Sequence, residues 1–265
     1  MTPRPRKPTA ALHARNADPH VLYELAVQQP QIVIGLIEEM FDQVRDREPL
    51  TLREDFCGTA NLSSMWVRSD PSRQALGVDN DSAVLAWADA HNRLPLGNAA
   101  GRLRLLVRDV LAASHRADVV VSLNFSHFIY KTRDELVGYL RHARRCTKPG
   151  GAFLCDAFGG PASISPCLDR RRFSDFDYLW EQRDYNPLTN EIDCRIHFSF
   201  RNGTKLKDAF VYDWRMWTLP ELREAMLEVG FNDVGIYFES EDGFIADADA
   251  VDCDAWVAYL VALRD

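Results

Sequence analysis

The stretch "LTLREDFCGTANLSSMWV", residues 50–67, decides how the chain reads. Its first residues suit a short strand ending on the acidic pair Glu54–Asp55, and Asn61 onward suits a helix. Between them lies a turn, Phe56–Ala60, with a single glycine at Gly58. A glycine there lets the backbone approach a ligand, and the start of the helix offers backbone N–H groups without intrahelical partners. The same turn carries Cys57, whose thiol a helix N-terminus would acidify, so a cysteine nucleophile is the competing reading. No histidine lies near Cys57 in the sequence to act as its base.

Further strand-like segments fall at 74–79, 102–109, 118–124 and 151–158. Helical patterns at 61–68, 81–92 and 133–146 separate them, with a short helical stretch at 110–117; Thr132 and Glu135 form a capping box for the helix at 133. Strands alternating with helices imply right-handed crossovers and a mostly parallel sheet covered on both faces. In such sheets ligands bind beyond the carboxyl ends of the strands, where strand order reverses.

The strand-end residues therefore carry the functional reading. Asp79 ends the second strand about 20 residues beyond Gly58, the spacing at which a carboxylate accepts both hydrogens of a ribose diol. Asp81 or Ser82 suits the following helix cap better, which leaves Asp79 free. Asp109 ends the third strand, where it can accept from an exocyclic amine. The fourth strand runs into "SLNFSHFIY", which places Asn124, Ser126 and His127 at the mouth of a pocket.

This ordered set resembles a class I S-adenosylmethionine-dependent methyltransferase. The matching motifs are "EDFCGTA", "GVDND", "VRDV" and "SLNFSHFIY" after successive strands, then "KPGG" before the fifth strand and "WTLPELREAMLEVGF" late in the chain. The resemblance implies an α/β fold, a Rossmann-like three-layer sandwich with a seven-stranded, mostly parallel sheet whose last strand is antiparallel. It implies S-adenosyl-L-methionine as cofactor. Its cofactor-binding residues would be Tyr23, Glu54, Cys57, Gly58, Asp79, Asn80, Asp109, Val110 and Asn124. Glu54 takes the acidic place, Gly58 the middle glycine, Asp79 the ribose, Asp109 with Val110 the adenine, and Asn124 the methionine end. Tyr23 would close over the cofactor. Phe56 and Ala60 replace the outer glycines of the family's loop, and Phe56 lacks glycine's easy access to positive φ. Candidates for a catalytic base are His127, Tyr130 and Asp156, and for acceptor binding Phe158, Tyr212 and Trp214.

The chain then divides into a flexible basic tail (1–18, with Arg4, Arg6, Lys7 and Arg15) and two helices broken at Pro30 that cap the site (19–48). A cofactor-binding core (49–160), an antiparallel insertion covering the substrate (161–215) and the C-terminal part of the core (216–265) follow. The insertion contains a hairpin turning at Asn202–Gly203, which can also form a homodimer contact. The final strands fall at 231–238 and 255–263, joined by an acidic loop. A net charge of −8 argues against a broad nucleic-acid face. There is no membrane-length apolar run and no secretory h-region. The six scattered cysteines contain no C-x-x-C, and the seven histidines show no metal spacing. The expectation is a cytoplasmic methyltransferase of a small molecule, acting on nitrogen or oxygen, without metal, membrane or nucleic-acid partner. The alternatives are a nicotinamide-dependent oxidoreductase, which expects G-x-G-x-x-G, and a non-catalytic nucleotide-binding or interaction protein.

Overall fold

The computed structural model describes residues 12–45, 47–240, 243–246 and 254–265. Most of the basic tail, including Arg4, Arg6 and Lys7, lies outside the described residues, as does Cys253. Helices α1 (Pro19–Ala26) and α2 (Pro30–Val44) come first, each with proline in its first turn, where the missing N–H has no partner to lose. The core follows as β1 (Thr51–Asp55), α3 (Asn61–Ser69), β2 (Gln74–Asp79), α4 (Ser82–Ala88), β3 (Leu103–Val107), β4 (Ala117–Ser122), α5 (Arg133–Cys146) and β5 (Thr147–Gly159). Residues 110–112 form only a 3-10 turn, not a helix to 117.

The insertion is a separate antiparallel sheet of four strands: β6 (Cys167–Arg172), β7 (Phe176–Asn186), β8 (Glu191–Phe200) and β9 (Lys205–Arg215). The expected hairpin is β8–β9, turning through Gly203 at φ 83°. Helix α6 (Leu219–Glu228), β10 (Asp233–Ser240), β11 (Gly243–Ala246) and β12 (Trp256–Arg264) complete the chain.

The main sheet has the order β11-β10-β12-β5-β4-β1-β2-β3. β1 to β5 are parallel, and β12 lies antiparallel between β5 and β10. The sheet has eight strands rather than seven, because the start of the acidic loop folds back on β10 as the edge strand β11. All six residues of β4 are buried, as a central parallel strand requires. Val119 and Val121 pack under α2 and α3, and Val120 under α5 and α6, so each sheet face has its own core. The strand order reverses between β1 and β4, which places the ends of these two strands at the binding crevice.

Candidate functional site

The loop after β1 meets its glycine pattern without the glycines. Phe56, Gly58 and Ala60 have φ of 56°, 52° and 54°. Left-handed backbone costs a residue bearing Cβ about 1–2 kcal/mol. Phe56 offsets this by packing its ring 5.6 Å from Tyr139 and 6.3 Å from Tyr130. Ala60 is fully buried beside Cys57, Leu85 and Ala88. A Cβ added at Gly58 would meet nothing within 4 Å, so the glycine's face is open. Cys57 points the other way: a Cβ on Gly77 would come within 2.8 Å of its sulfur. Burial pushes the Cys57 thiol well up, which removes the nucleophile reading.

Glu54 accepts from the N–H (3.0 Å) and hydroxyl (2.6 Å) of Ser63 in the first turn of α3. Burial nevertheless pushes its carboxyl up to about 7. Asp79 is not left free. Its Oδ2 accepts from Gly58 N–H and its Oδ1 from Asp81 N–H, both at 2.9 Å. A carboxylate has about four acceptor positions, so each oxygen retains one. Asp81 caps α4, as expected. Asp109 is exposed and caps the turn at 110–112 through Leu111 N–H, while Val110 is buried. Asn80 is exposed beside Asp79.

Beneath the loops runs a network that the sequence did not reveal. Arg53 is fully buried and ion-pairs with Asp55 at 2.7 Å. Its other nitrogens donate to the carbonyls of Val110 and Ala113. One buried cation thus ties the end of β1 to the turn after β3, where the adenine would be held.

At the end of β4, Asn124 and Phe125 both adopt left-handed backbone, φ 54° and 60°. Asp156 on β5 accepts from both of their N–H groups, each at 2.8 Å. Burial pushes this carboxyl up to about 7. Asp156 accepts one backbone N–H on each oxygen and so shapes the turn, and like Asp79 it keeps one further acceptor position on each. His127 requires a larger correction. It is fully buried, away from the pocket mouth, and neither ring nitrogen has a hydrogen-bond partner among the described residues. Burial pushes it down to about 3, so the ring is neutral. Tyr130 stacks on Tyr139 at 5.1 Å within the core and is likewise off the cavity wall.

A cavity of roughly 800 Å³ lies between the main sheet and the four-stranded sheet. Glu54, Asn124, Phe125 and Asp156 line its floor. Strand alternation turns Tyr178, Trp180 and Gln182 of β7, and Tyr212 and Trp214 of β9, toward it. Tyr212 and Trp214 stack at 4.1 Å, and Phe158 meets Phe125 edge-on at 4.8 Å. Phe158, Tyr212 and Trp214, the candidates for acceptor binding, all line the cavity. Trp180 is not among the candidates read from the sequence; it shares the face of Tyr178 and Gln182, two residues to either side. Tyr23 lines the cavity and hydrogen-bonds Tyr212. Helix α1 and its flanks also reach the loops: the Gln28 side-chain Oε1 accepts from Asn61, Glu24 accepts from Asn92, and Asp18 accepts from Trp87 of α4.

Comparison with known proteins accords with this geometry. Residues 57–153 match the family model for a methyltransferase domain. A carboxy-S-adenosyl-L-methionine synthase of Pseudomonas paraeruginosa is 26% identical over 185 residues, 65% of this chain and 63% of the relative. The chain thus matches less than two thirds of that relative's length. Among solved structures, a S-adenosylmethionine-dependent methyltransferase from Clostridium acetobutylicum shares the fold with a TM-score of 0.69 at 16% identity, over 93% of this chain and 97% of the other. CalS10, an amino pentose methyltransferase from Micromonospora echinaspora solved with bound S-adenosylmethionine, gives 0.66 at 15% identity, over 93% and 96%. DesVI of Streptomyces venezuelae gives 0.66 at 17%, over 93% and 97%. The resemblance to class I methyltransferases drawn from the strand-end motifs is borne out, and the fold is theirs.

Proposed function

We propose that the chain is an S-adenosylmethionine-dependent methyltransferase acting on a small molecule through a nitrogen or oxygen nucleophile. The observation that carries this reading is the convergence of Glu54, Gly58, Asp79 and Asn124 on strand ends flanking the β1/β4 reversal, next to an aromatic cavity. The residues present fit the cofactor. The open face of Gly58 admits a close approach, Asp79 keeps an acceptor position on each oxygen for a ribose diol, and Asp109 with Val110 suits the adenine. Glu54 and the Asn124 turn suit the methionine end.

When bound, the cofactor supplies a methyl group activated by a sulfonium. The chain's own residues provide orientation and exclusion of water. Asp156 fixes the Asn124–Phe125 turn, and the aromatic walls hold the acceptor. Tyr23, Glu24 and Gln28 hold α1 over the loop. An amine that arrives neutral needs no strong base, which suits a wall whose buried carboxylates are already hydrogen-bonded. CalS10, which shares the fold, acts on an amino pentose, and this supports an amine-bearing small molecule as the acceptor. A homodimer through an open edge of the insertion sheet, β6 or β9, belongs to the same reading. A screen with methyl-labelled S-adenosylmethionine across amine, hydroxyl, thiol and carboxylate acceptors tests it. Transfer to nitrogen or oxygen is expected; transfer confined to carbon or sulfur overturns the assignment.

A further inference from the structure

The charges on the cavity wall point to the kind of acceptor. Its two buried carboxylates already accept hydrogen bonds from the chain: Glu54 through one oxygen from Ser63, and Asp156 through both from the backbone of Asn124 and Phe125. Arg171 pairs with no carboxylate in this way; its side chain hydrogen-bonds that of Tyr178. It lies on β6 opposite Tyr178 of β7, lines the cavity, and holds its guanidinium over the Tyr178 ring at 4.6 Å from the centroid. Its neighbours Arg170 and Arg172, and Arg201 of the β8–β9 turn, all converge on Asp177. Among the described residues Arg171 has no such carboxylate within ion-pair distance. A guanidinium ordered by stacking loses less freedom on gripping a planar anion, and its fork matches a carboxylate.

Beside it, Trp180, Tyr212 and Trp214 form a set of rings inclined by 21° to 34° to one another. Flat side chains so arranged accept another flat ring by offset stacking.

We infer that the acceptor is a small anion with an aromatic body, whose ring packs against Trp180, Tyr212 and Trp214 and whose carboxylate, or an equivalent planar anion, pairs with Arg171. This deepens the proposed methyl transfer and rests on that reading. Two exposed acids on the lining, Asp169 and Glu239, define the opposing possibility, a cationic acceptor.

Three probes with one frame and different ends separate these cases: 3-(4-hydroxyphenyl)propionate, its amide, and 3-(4-hydroxyphenyl)propylamine. Each is titrated calorimetrically into the full chain, with and without S-adenosylhomocysteine. The propionate is expected to bind about tenfold more tightly than the amide, the scale of one hydrogen bond to a charged group. Arg171→Gln should bring the two within about twofold of each other, and Arg171→Lys should keep part of the preference. Arg171 stands on an exposed edge strand, so the variants should keep the wild-type melting temperature. Equal binding of propionate and amide, tighter binding of the amine, no binding of any probe, or an unchanged preference in Arg171→Gln overturns the proposal. S-adenosylhomocysteine is titrated alone as well, so failure of the cofactor reading is seen separately from failure of the charge preference.

Discussion

Replacing Asp156 by asparagine should loosen the turn beside the methionine end of the cofactor. Phe125 holds left-handed backbone at a cost of about 1–2 kcal/mol, and Asn124, whose short polar side chain tolerates this region, at less. Their two N–H groups are held by one carboxylate, at about 1.5–3 kcal/mol per charge-assisted bond. Asp156→Asn keeps one acceptor and turns an NH₂ donor toward the other N–H. One bond is lost and one buried N–H is left unpaired, a change of about 1.5–3 kcal/mol that consumes the margin holding the turn. S-adenosylhomocysteine binding, read by calorimetry, should weaken about tenfold or more.

The pH dependence sharpens this test. The Asp156 carboxyl rises from an ordinary value of 3.8 to about 7, and Glu54 behaves alike. A raised carboxyl favours the folded state when protonated. Its contribution is therefore full at low pH and declines as pH climbs from about 4 to about 7, by at most about 4 kcal/mol. Cofactor affinity should run the opposite way, because only the carboxylate holds both N–H groups, and so should rise as pH passes through about 7. His127, pushed down to about 3, gives a stability slope of opposite sign between about 6.5 and 3. The informative quantity is thus the difference between wild type and Asp156→Asn, measured by denaturant unfolding at each pH. Equal affinity in the variant, with identical pH slopes, would refute the argument.

Other expectations follow from the loop and its foundation. Arg53→Met strands the buried Asp55 charge and two carbonyls; it should cost about 3–5 kcal/mol, seen as a large fall in the urea midpoint. Phe56→Ala keeps the left-handed backbone but loses the ring packed near Tyr130 and Tyr139, and should lower unfolding free energy by about 2 kcal/mol. Gly58→Ala meets no atom within 4 Å, so its stability cost should stay near 1 kcal/mol while S-adenosylmethionine binding falls far more steeply. A Gly58→Ala variant that binds the cofactor like wild type would show that the loop's open face is not the contact surface.

The alternation of strands and helices made the main sheet legible, because period and capping are local signals: Thr132 with Glu135 and Thr218 with Glu221 both form capping boxes. The strand-end positions of Glu54, Asp79 and Asn124 were equally legible, since strand ends follow from the same alternation. What sequence could not show depends on contacts between distant segments. His127 reads as a base in a polar loop, but tertiary packing buries it. Asp156 reads as a free acid, and only the fold brings the 124–125 backbone onto it. Arg53 sits in a strand like any exposed arginine, and its role appears only when residues 110–113 fold over it. Phe56 looked unable to replace a glycine because its compensation comes from aromatic residues some 74 and 83 positions away. The edge strand β11 was read as loop because its neighbouring acidic residues mask a four-residue pairing with β10.

Whether these strand ends hold S-adenosylmethionine is decided by calorimetric titration of the full chain with that cofactor and, in parallel, with a nicotinamide dinucleotide. One saturable site is expected for S-adenosylmethionine, lost in Asp79→Ala, with no heat from the dinucleotide. No heat with S-adenosylmethionine, or undiminished binding in Asp79→Ala, would contradict it.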